Sequence, residues 1–204
     1  MKTKLIVVWS AKGGVSKTTI SLHLCDFFTR KEKRVLFYDT DEQRSGYSIV
    51  TESNDMPFDV VCSLDDVNVS EYDYVIVDTP PRLKLLSKEH RTLIKNADVI
   101  VTPVNPARID FESLESMEPL LKNKKVVKVL SRFDARSKDD KLVKKNKAAD
   151  FMIMSQLTVY KSTINECYSV FSKQSNGKSS ISSARREMKL IANQVEFLLS
   201  EVAK

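Results

Sequence analysis

Seven short apolar runs rich in β-branched residues alternate along the chain with segments of helical periodicity. We predict strands at Lys4–Trp9, Arg34–Tyr38, Phe58–Cys62, Tyr74–Val77, Val99–Pro103, Val126–Leu130 and Phe151–Met154. Helices are predicted at Thr18–Thr29, Leu83–Asn96, Asp110–Lys122 (with Asp110 as N-cap), Asp139–Ala149, Ser162–Phe171 and Ser183–Val202. Several strand runs are continuous rather than alternating, which is typical of strands covered on both faces. The pattern therefore predicts an α/β fold with a doubly wound, mostly parallel sheet flanked by helices.

The first predicted strand leads directly into a glycine-containing loop with two lysines. The loop and the first helical turn comprise Lys12, Gly13, Gly14, Val15, Ser16, Lys17, Thr18 and Thr19. A strand, a tight loop and a helix in this order favour phosphate binding over a solvated lysine beside a structural turn, because loop N–H groups and the helix dipole converge on phosphate oxygens. Lys17 is then expected to reach the outer phosphates, and the Thr18 hydroxyl to ligate Mg²⁺.

This segment resembles the deviant phosphate loop of the ParA/MinD-type ATPases, a class of P-loop NTPases. The likeness to the small plasmid-partition ParA proteins runs from Lys4 to the last predicted helix. In that family the first lysine reaches the nucleotide of the partner subunit, so the resemblance implies a catalytic role in trans for Lys12. Relatives usually have glycine where this chain has Ser16. We expect nucleotide binding to survive if Ser16 adopts an αR-compatible conformation, whereas the turnover rate depends on this residue.

Two further predicted strands end in aspartates, at the edge of the sheet where a parallel fold binds its ligands. Asp39 and Asp41 follow the second strand, and Asp78 follows the fourth. Each aspartate is either a metal–phosphate ligand or a polar turn residue. Their occurrence together with the phosphate loop favours the role of metal–phosphate ligand. By resemblance Asp41 orients or activates the attacking water, while Asp39 and Asp78 support Mg²⁺. Glu42 replaces the proline of the family pattern.

The fifth and sixth predicted strands end in segments that the resemblance places beside the adenine. Paired prolines fix an extended loop after the fifth strand, which in this family also borders the dimer surface. After the sixth strand, relatives place polar atoms against the base edge. The residues assigned to base binding are Pro103, Asn105, Pro106, Ser131 and Arg132.

The net charge of +6 is concentrated in one part of the chain. The segment from Lys122 to Lys147 contains eleven Lys and Arg but only three Asp and Glu, so its net charge is +8 and that of the remaining chain is −2. Such a segment is either an electrostatic footprint for nucleic acid or a solvated helix face. The absence of interleaved aromatic residues predicts that any DNA binding is sequence-independent and salt-sensitive. Further candidate DNA contacts are Lys161, Arg185, Arg186 and Lys189.

The composition is that of an ordinary soluble globule, with 204 residues of which 42% are apolar and 29% charged. We expect residues 1–204 to form a single ParA-like ATPase domain without a signal peptide, an N-terminal DNA-reading domain or a stable membrane anchor. Three dispersed cysteines and two histidines predict neither a disulfide framework nor a metal cluster, and so a cytoplasmic location. The last helix carries an apolar stripe expected to dock on the sheet: Met188, Ile191, Val195, Leu198 and Val202.

The resemblance implies an ATP-dependent DNA-partition ATPase. ATP and Mg²⁺ would join two subunits into a sandwich dimer that binds nonspecific DNA of the nucleoid, and a small ParB-like centromere-binding protein would stimulate hydrolysis to reset it. One alternative is a related ATPase that positions a protein assembly or a membrane cargo. Another is a metabolic phosphotransferase, which would have no use for Lys12. A third is a nucleotide binder with little turnover because of Ser16.

Overall fold

The computed structural model describes residues 2–81 and 87–201. Its seven strands are β1 (Lys4–Val8), β2 (Val35–Asp39), β3 (Asp59–Val61), β4 (Tyr74–Asp78), β5 (Val99–Val104), β6 (Val126–Phe133) and β7 (Met152–Ser155). They form one sheet in the order β3-β2-β4-β1-β5-β6-β7, and every neighbouring pair is parallel. The predicted α/β fold with a parallel sheet is thereby confirmed, and each predicted strand overlaps an observed one.

Helices cover both faces of this sheet. They are α1 (Lys17–Thr29), α2 (Ser45–Glu52), α3 (Lys88–Asn96), α4 (Arg108–Leu121), α5 (Lys138–Lys147), α6 (Thr158–Asn165) and α7 (Ile181–Ser200). Buried residues of α1 and α7 share one core layer with Ile6 and Val8 of β1. Ile94 of α3 and Met117 of α4 share the opposite layer with Val7. The alternating sides of β1 thus face two cores, which accounts for its continuous apolar run.

The helices differ from the prediction in several places, including Ser87, which is predicted inside a helix and is instead the extended N-cap of α3. Helix α2 was not expected, because its eight residues include a glycine and β-branched Ile49 and Val50, which are weak helix formers. Helix α6 begins four residues before the predicted Ser162 and ends at Asn165. Asp110 is not the N-cap of α4, a position that Ala107 takes. It lies in the first turn instead, where the helix dipole favours a carboxylate.

The apolar stripe of the last helix packs on the sheet, as predicted. Met188, Ile191 and Val195 are fully buried, and Leu198 packs against the same core. Val202, and the residues from Leu83 to Leu86 of the predicted third helix, lie outside the described residues. Across residues 2–81 and 87–201 no helix has the length and apolar character needed to cross a membrane.

The first helix carries a histidine in the core. His23 is fully buried, its ring centroid lies 5.7 Å from that of Tyr160, and neither ring nitrogen has a hydrogen-bond partner in the part of the chain that the structure describes. Burial disfavours the charged imidazolium and lowers the pKa of His23 from 6.5 to about 3. His23 is therefore neutral in the folded protein at neutral pH.

This pKa shift gives stability a defined pH dependence. Because the pKa of His23 is depressed in the folded state, His23 takes up its proton at a higher pH in the unfolded state, and stability is lost as the pH falls below 6.5. The loss between pH 7 and pH 5 is about 2 kcal/mol. Denaturant unfolding at pH 7 and pH 5 measures the change in the free energy of unfolding between these pH values. We expect the loss on acidification to be about 2 kcal/mol smaller in a His23→Leu variant than in the wild type. Asp78, whose raised pKa acts in the opposite direction, is common to both proteins and cancels. Equal pH dependence in both would contradict the assignment.

Candidate nucleotide-binding site

The loop between β1 and α1 is held by two residues in the left-handed backbone region. Gly14 has a φ of 71°, and Ser16, the N-cap of α1, has a φ of 69° and a ψ of 27°. The αR-compatible conformation of Ser16, on which the expectation of nucleotide binding is conditional, is therefore not the one observed. A non-glycine residue in this region costs about 1–2 kcal/mol, because its Cβ crowds the following carbonyl oxygen. The loop nevertheless closes with serine in place.

The two lysines of the loop have different environments. Lys17 is buried, and its Nζ donates a hydrogen bond to the carbonyl oxygen of Lys12 at 3.1 Å. Burial lowers the pKa of Lys17, and the nearby carboxylates of Asp78 and Asp41 act against this effect. The Lys12 side chain is half-exposed, and its ammonium has neither a hydrogen bond nor an ion pair with residues 2–81 or 87–201. Lys17 is thus held within the site, whereas the Lys12 ammonium is without a partner among the described residues.

Asp78 ends β4 and, like Asp39, is almost fully buried. The Thr18 hydroxyl donates to its Oδ2 at 2.6 Å, and the Ser21 hydroxyl lies 3.4 Å from its Oδ1. Burial raises the pKa of Asp78 to about 7, against the opposing effect of the Thr18 hydrogen bond. The predicted proximity of Thr18 and Asp78 is thus present, and the carboxylate lacks a full counter-charge within the described protein.

Asp39 is held by the helix that sequence reasoning missed. Its Oδ2 accepts a hydrogen bond from the Tyr47 N–H in the first turn of α2 at 2.9 Å, and its Oδ1 accepts one from the Asp41 N–H at 3.1 Å. Burial raises the pKa of Asp39, and these N–H groups oppose the shift. A Cβ on Gly46 would lie 2.6 Å from the Phe37 ring, so glycine lets α2 approach this carboxylate.

Hydrogen bonds join the ends of three strands at this edge of the sheet. The Thr40 N–H and hydroxyl both donate to the Asp78 carbonyl, at 3.0 and 2.7 Å, and the Thr79 hydroxyl donates to the Val8 carbonyl at 2.9 Å. A Cβ on Gly13 would lie 3.7 Å from Pro81, which places the loop against the segment after β4. The loop, the Asp39 strand and the Asp78 strand therefore meet in one site.

The residues at this edge fit a magnesium–phosphate group. Thr18 and Asp78 offer hard oxygen ligands, and the raised pKa of buried Asp78 shows a carboxylate that a cation would stabilise. Nowhere in residues 2–81 and 87–201 do three His, Cys, Asp or Glu side chains form a group able to hold a metal by themselves. Mg²⁺ usually takes few protein ligands and completes its shell with phosphate and water oxygens.

A cavity of about 660 Å³ opens beside the loop at Ser16 and Thr19. Its other walls come from Arg132, the β7–α6 connection and α6. Arg132 reaches it because β6 has a register shift between Ser131 and Phe133, which leaves Arg132 unpaired and at a φ of 53°. Position and size suit the nucleoside of a nucleotide whose phosphates lie on the loop.

Only part of the predicted base-binding set lines this cavity. Arg132 does, whereas Pro103, Asn105, Pro106 and Ser131 do not. Ser131 is buried, and its hydroxyl donates to the Asn105 side-chain oxygen at 3.0 Å. Gln156 and Leu157 of the β7–α6 connection line the cavity instead. The sequence signal for the β7–α6 connection is its position directly after a strand, at the edge of the sheet where the site lies.

The four candidate DNA contacts fall in different places. Lys161 lines the nucleoside cavity. The Arg185 guanidinium is occupied within the protein, since it donates to the carbonyls of Val170 and Ser172, to the Ser175 hydroxyl and to the Asn176 side chain. Arg185 is thus a structural cation, and its assignment to DNA is not retained. Arg186 and Lys189 are exposed on α7.

The basic segment between Lys122 and Lys147 includes the whole of α5. This helix has no fully buried residue, and its cations Lys138, Lys141 and Lys145 are exposed. Its N-cap Ser137 accepts a hydrogen bond from the Asp140 N–H at 3.1 Å. Helix α5 therefore presents lysines on its outer surface while Ala148 and Phe151, which follow it, are buried in a small core.

This fold and site define a nucleotide-binding domain of the P-loop type with two loop lysines. Residues 6–143 match the family described as the CobQ/CobB/MinD/ParA nucleotide binding domain, and the chain belongs to this family. The predicted resemblance to ParA/MinD-type ATPases is thus confirmed, and the expected cofactors ATP and Mg²⁺ agree with it.

Individual relatives extend this comparison. The chain is 33% identical over 123 residues to the maintenance of carboxysome distribution protein A of Gloeobacter kilaueensis, over 54% of this chain and 53% of that protein, so the match spans about half of that relative. An ATP complex of a Cyanothece McdA variant has a TM-score of 0.73 at 16% identity, covering 99% of both chains. A putative plasmid partition protein from Borrelia burgdorferi with AMPPNP has a TM-score of 0.70 at 18% identity, covering 95% of this chain and 100% of that one.

A third structure shares the fold. It is the septum site-determining protein MinD of Pyrococcus horikoshii with Mg-ADP, with a TM-score of 0.67 at 17% identity, covering 97% of this chain and 98% of that one. At these identities the structural likeness establishes the fold.

The left-handed conformation of Ser16 leads to a stability prediction. Ser16→Gly removes the steric cost of about 1–2 kcal/mol and adds glycine's chain entropy of about 0.5–1 kcal/mol, so we expect a net gain of about 0.5–1 kcal/mol in the free energy of unfolding. Glu32→Gly, at a φ of 61° on the exposed α1–β2 connection, is the matched control and should gain as much. Only Ser16→Gly should alter ATP turnover. A loss of stability in Ser16→Gly would refute the strain.

Proposed function

We propose that this chain is an ATP-dependent DNA-partition ATPase that works as a sandwich dimer. The observation that carries the proposal is the contrast between its two loop lysines. Lys17 lies buried against the carbonyl of Lys12 and near the site's carboxylates, whereas the Lys12 ammonium has no partner in the described chain. An unpaired cation beside a phosphate site is available to the nucleotide of a second subunit.

The residues of the site support ATP hydrolysis by positioning and charge neutralisation. Lys17, released from the Lys12 carbonyl, binds the outer phosphates. When bound, Mg²⁺ neutralises phosphate charge, and Thr18 and Asp78 are the residues that would hold it. One oxygen of Asp41 accepts the Gln43 N–H at 3.0 Å, which leaves the other to orient the attacking water.

The dimer binds DNA without sequence preference through exposed lysines. The lysines of α5 form a cationic helix surface, and Arg186 and Lys189 add charge on α7. Contacts of this kind neutralise phosphates and release counterions, so binding weakens as salt rises. Hydrolysis stimulated by a small centromere-binding protein then returns the chain to monomers and frees the DNA of the nucleoid.

A second candidate function differs only in the cargo. The relative that is 33% identical is by its name a carboxysome distribution protein, which favours a chain that positions a protein assembly rather than a DNA molecule. The ATP site, the dimer and the DNA surface would be the same. The stimulating partner separates the two candidates: a protein that also binds a specific DNA site supports partition, and one that binds a protein assembly supports positioning.

Lys12 provides the first test. We expect Lys12→Ala to bind ATP within a few-fold of the wild type, because its own site is complete without this lysine. The variant should nevertheless stay monomeric in sedimentation velocity with ATP and Mg²⁺, because the contact to the nucleotide of the second subunit is lost. Lys33→Ala, which removes another half-exposed lysine away from the site, is the control and should dimerise normally. ATP-dependent dimers of Lys12→Ala at wild-type concentration would contradict the role in trans.

The DNA surface provides the second test. With ATP, we expect the Lys141→Ala/Lys145→Ala variant to reduce the slope of log affinity against log salt by about 2, since each lost phosphate contact removes about 0.9. The Lys88→Ala/Lys95→Ala variant removes the same charge from α3 and should leave the slope unchanged. Fluorescence anisotropy with a random duplex measures both. Equal slopes for the two variants, or binding that does not require ATP, would oppose the proposed surface.

A further inference from the structure

A carboxylate on α7 joins both sides of the β7–α6 connection. Glu187 accepts three hydrogen bonds: its Oε1 from the Ser155 hydroxyl at 2.6 Å, and its Oε2 from the Ser155 N–H at 3.0 Å and the Tyr160 hydroxyl at 2.9 Å. Ser155 is the last residue of β7 and Tyr160 lies in the first turn of α6. One side chain therefore fixes the two ends of the short segment between them.

Those two ends belong to the nucleoside cavity. Ser155 and Tyr160 both line it, together with Ser16 and Thr19 of the phosphate loop. Glu187 itself does not line it, so it acts on the cavity through its neighbours. It has no ion-pair partner within residues 2–81 and 87–201, and its charge is met by hydrogen bonds alone. Hydrogen bonds to a carboxylate are stronger than neutral ones and fix geometry accordingly.

The segment held in this way presents an amide group to the cavity. Gln156 lines the cavity and is exposed, and its backbone N–H is already taken by the Phe133 carbonyl at 2.9 Å. The Leu157 N–H is likewise taken, by the Ser155 carbonyl at 2.8 Å. In the described chain the Gln156 side-chain amide has no partner, so its donor and acceptor remain available. A glutamine amide pairs with adenine in a bidentate manner, through a ring nitrogen and the exocyclic amine.

We propose that Gln156 recognises the adenine of the bound nucleotide and that Glu187 is a positioning residue that holds Gln156 in place. The proposal rests on the proposed function insofar as the cavity takes the nucleoside of ATP. Glu187 lies 31 residues beyond Gln156 in sequence, on the helix that also bears exposed Arg186 and Lys189. Base recognition is therefore anchored on α7 rather than on the phosphate loop.

The test compares ligands with and without a base. We expect Glu187→Gln to weaken ATP binding about tenfold and to reduce the preference for ATP over GTP, because a neutral amide with one acceptor oxygen replaces the carboxylate and its charge-assisted hydrogen bonds. Binding of Mg²⁺–tripolyphosphate, which has no base, should not change. Glu196→Gln is the control: Glu196 lies on the same helix as Glu187 and forms a partly exposed ion pair with Lys31 after α1, and this variant should bind every ligand normally.

A second variant keeps the test decisive if Glu187→Gln folds poorly. Gln156→Ala changes an exposed side chain and should give the same loss for ATP, the same reduced preference over GTP and unchanged tripolyphosphate binding. Equal losses for ATP and tripolyphosphate in both variants, or unchanged base preference in both, would overturn the proposal. If the wild type itself fails to bind ATP, the proposed function is refuted instead. Isothermal titration calorimetry provides all of these affinities.

Discussion

The burial of Asp78 is the constraint on which the rest of this site depends. A carboxylate at the end of a central strand cannot be solvated by water, and its pKa is raised to about 7 as a result. The chain surrounds it with hydroxyl donors from α1 and with the buried ammonium of Lys17. The phosphate loop is therefore held by its contacts to β4 as much as by its own glycines.

A nucleotide would change this arrangement at two points. Lys17 and Thr18 are each engaged by a protein oxygen, the Lys12 carbonyl and the Asp78 carboxylate, that a phosphate–metal group would replace. The left-handed Ser16 lies directly before these residues, so its strain is stored where binding rearranges the site. The Lys12 ammonium has no hydrogen-bond or ion-pair partner within residues 2–81 and 87–201, so a phosphate would replace no protein contact of this ammonium.

The strands and the carboxylate cluster could be predicted because their signals are local. Continuous apolar runs identify strands buried on both faces, and the aspartates that end β2 and β4 must meet at the edge where parallel strands end. The conformation of Ser16 could not be read from its identity, since serine is common at N-caps in ordinary backbone geometry. Helix α2 was missed because its helix propensity is weak, and the close approach that Gly46 allows to Phe37 depends on residues distant in sequence. The lining of the cavity by the β7–α6 connection could not be read from the sequence, because the contacts of Glu187 to Ser155 and Tyr160 span about thirty residues.

The central claim is that Lys12 acts on the nucleotide of the other subunit. Mixing two inactive variants, Lys12→Ala and Lys17→Ala, tests it most directly, because a mixed dimer then contains one site with the Lys17 of one subunit and the Lys12 of the other. We expect the mixture to regain ATP hydrolysis that neither variant has alone. If Lys12 instead serves its own subunit, every site lacks one lysine, and the mixture would be as inactive as its components.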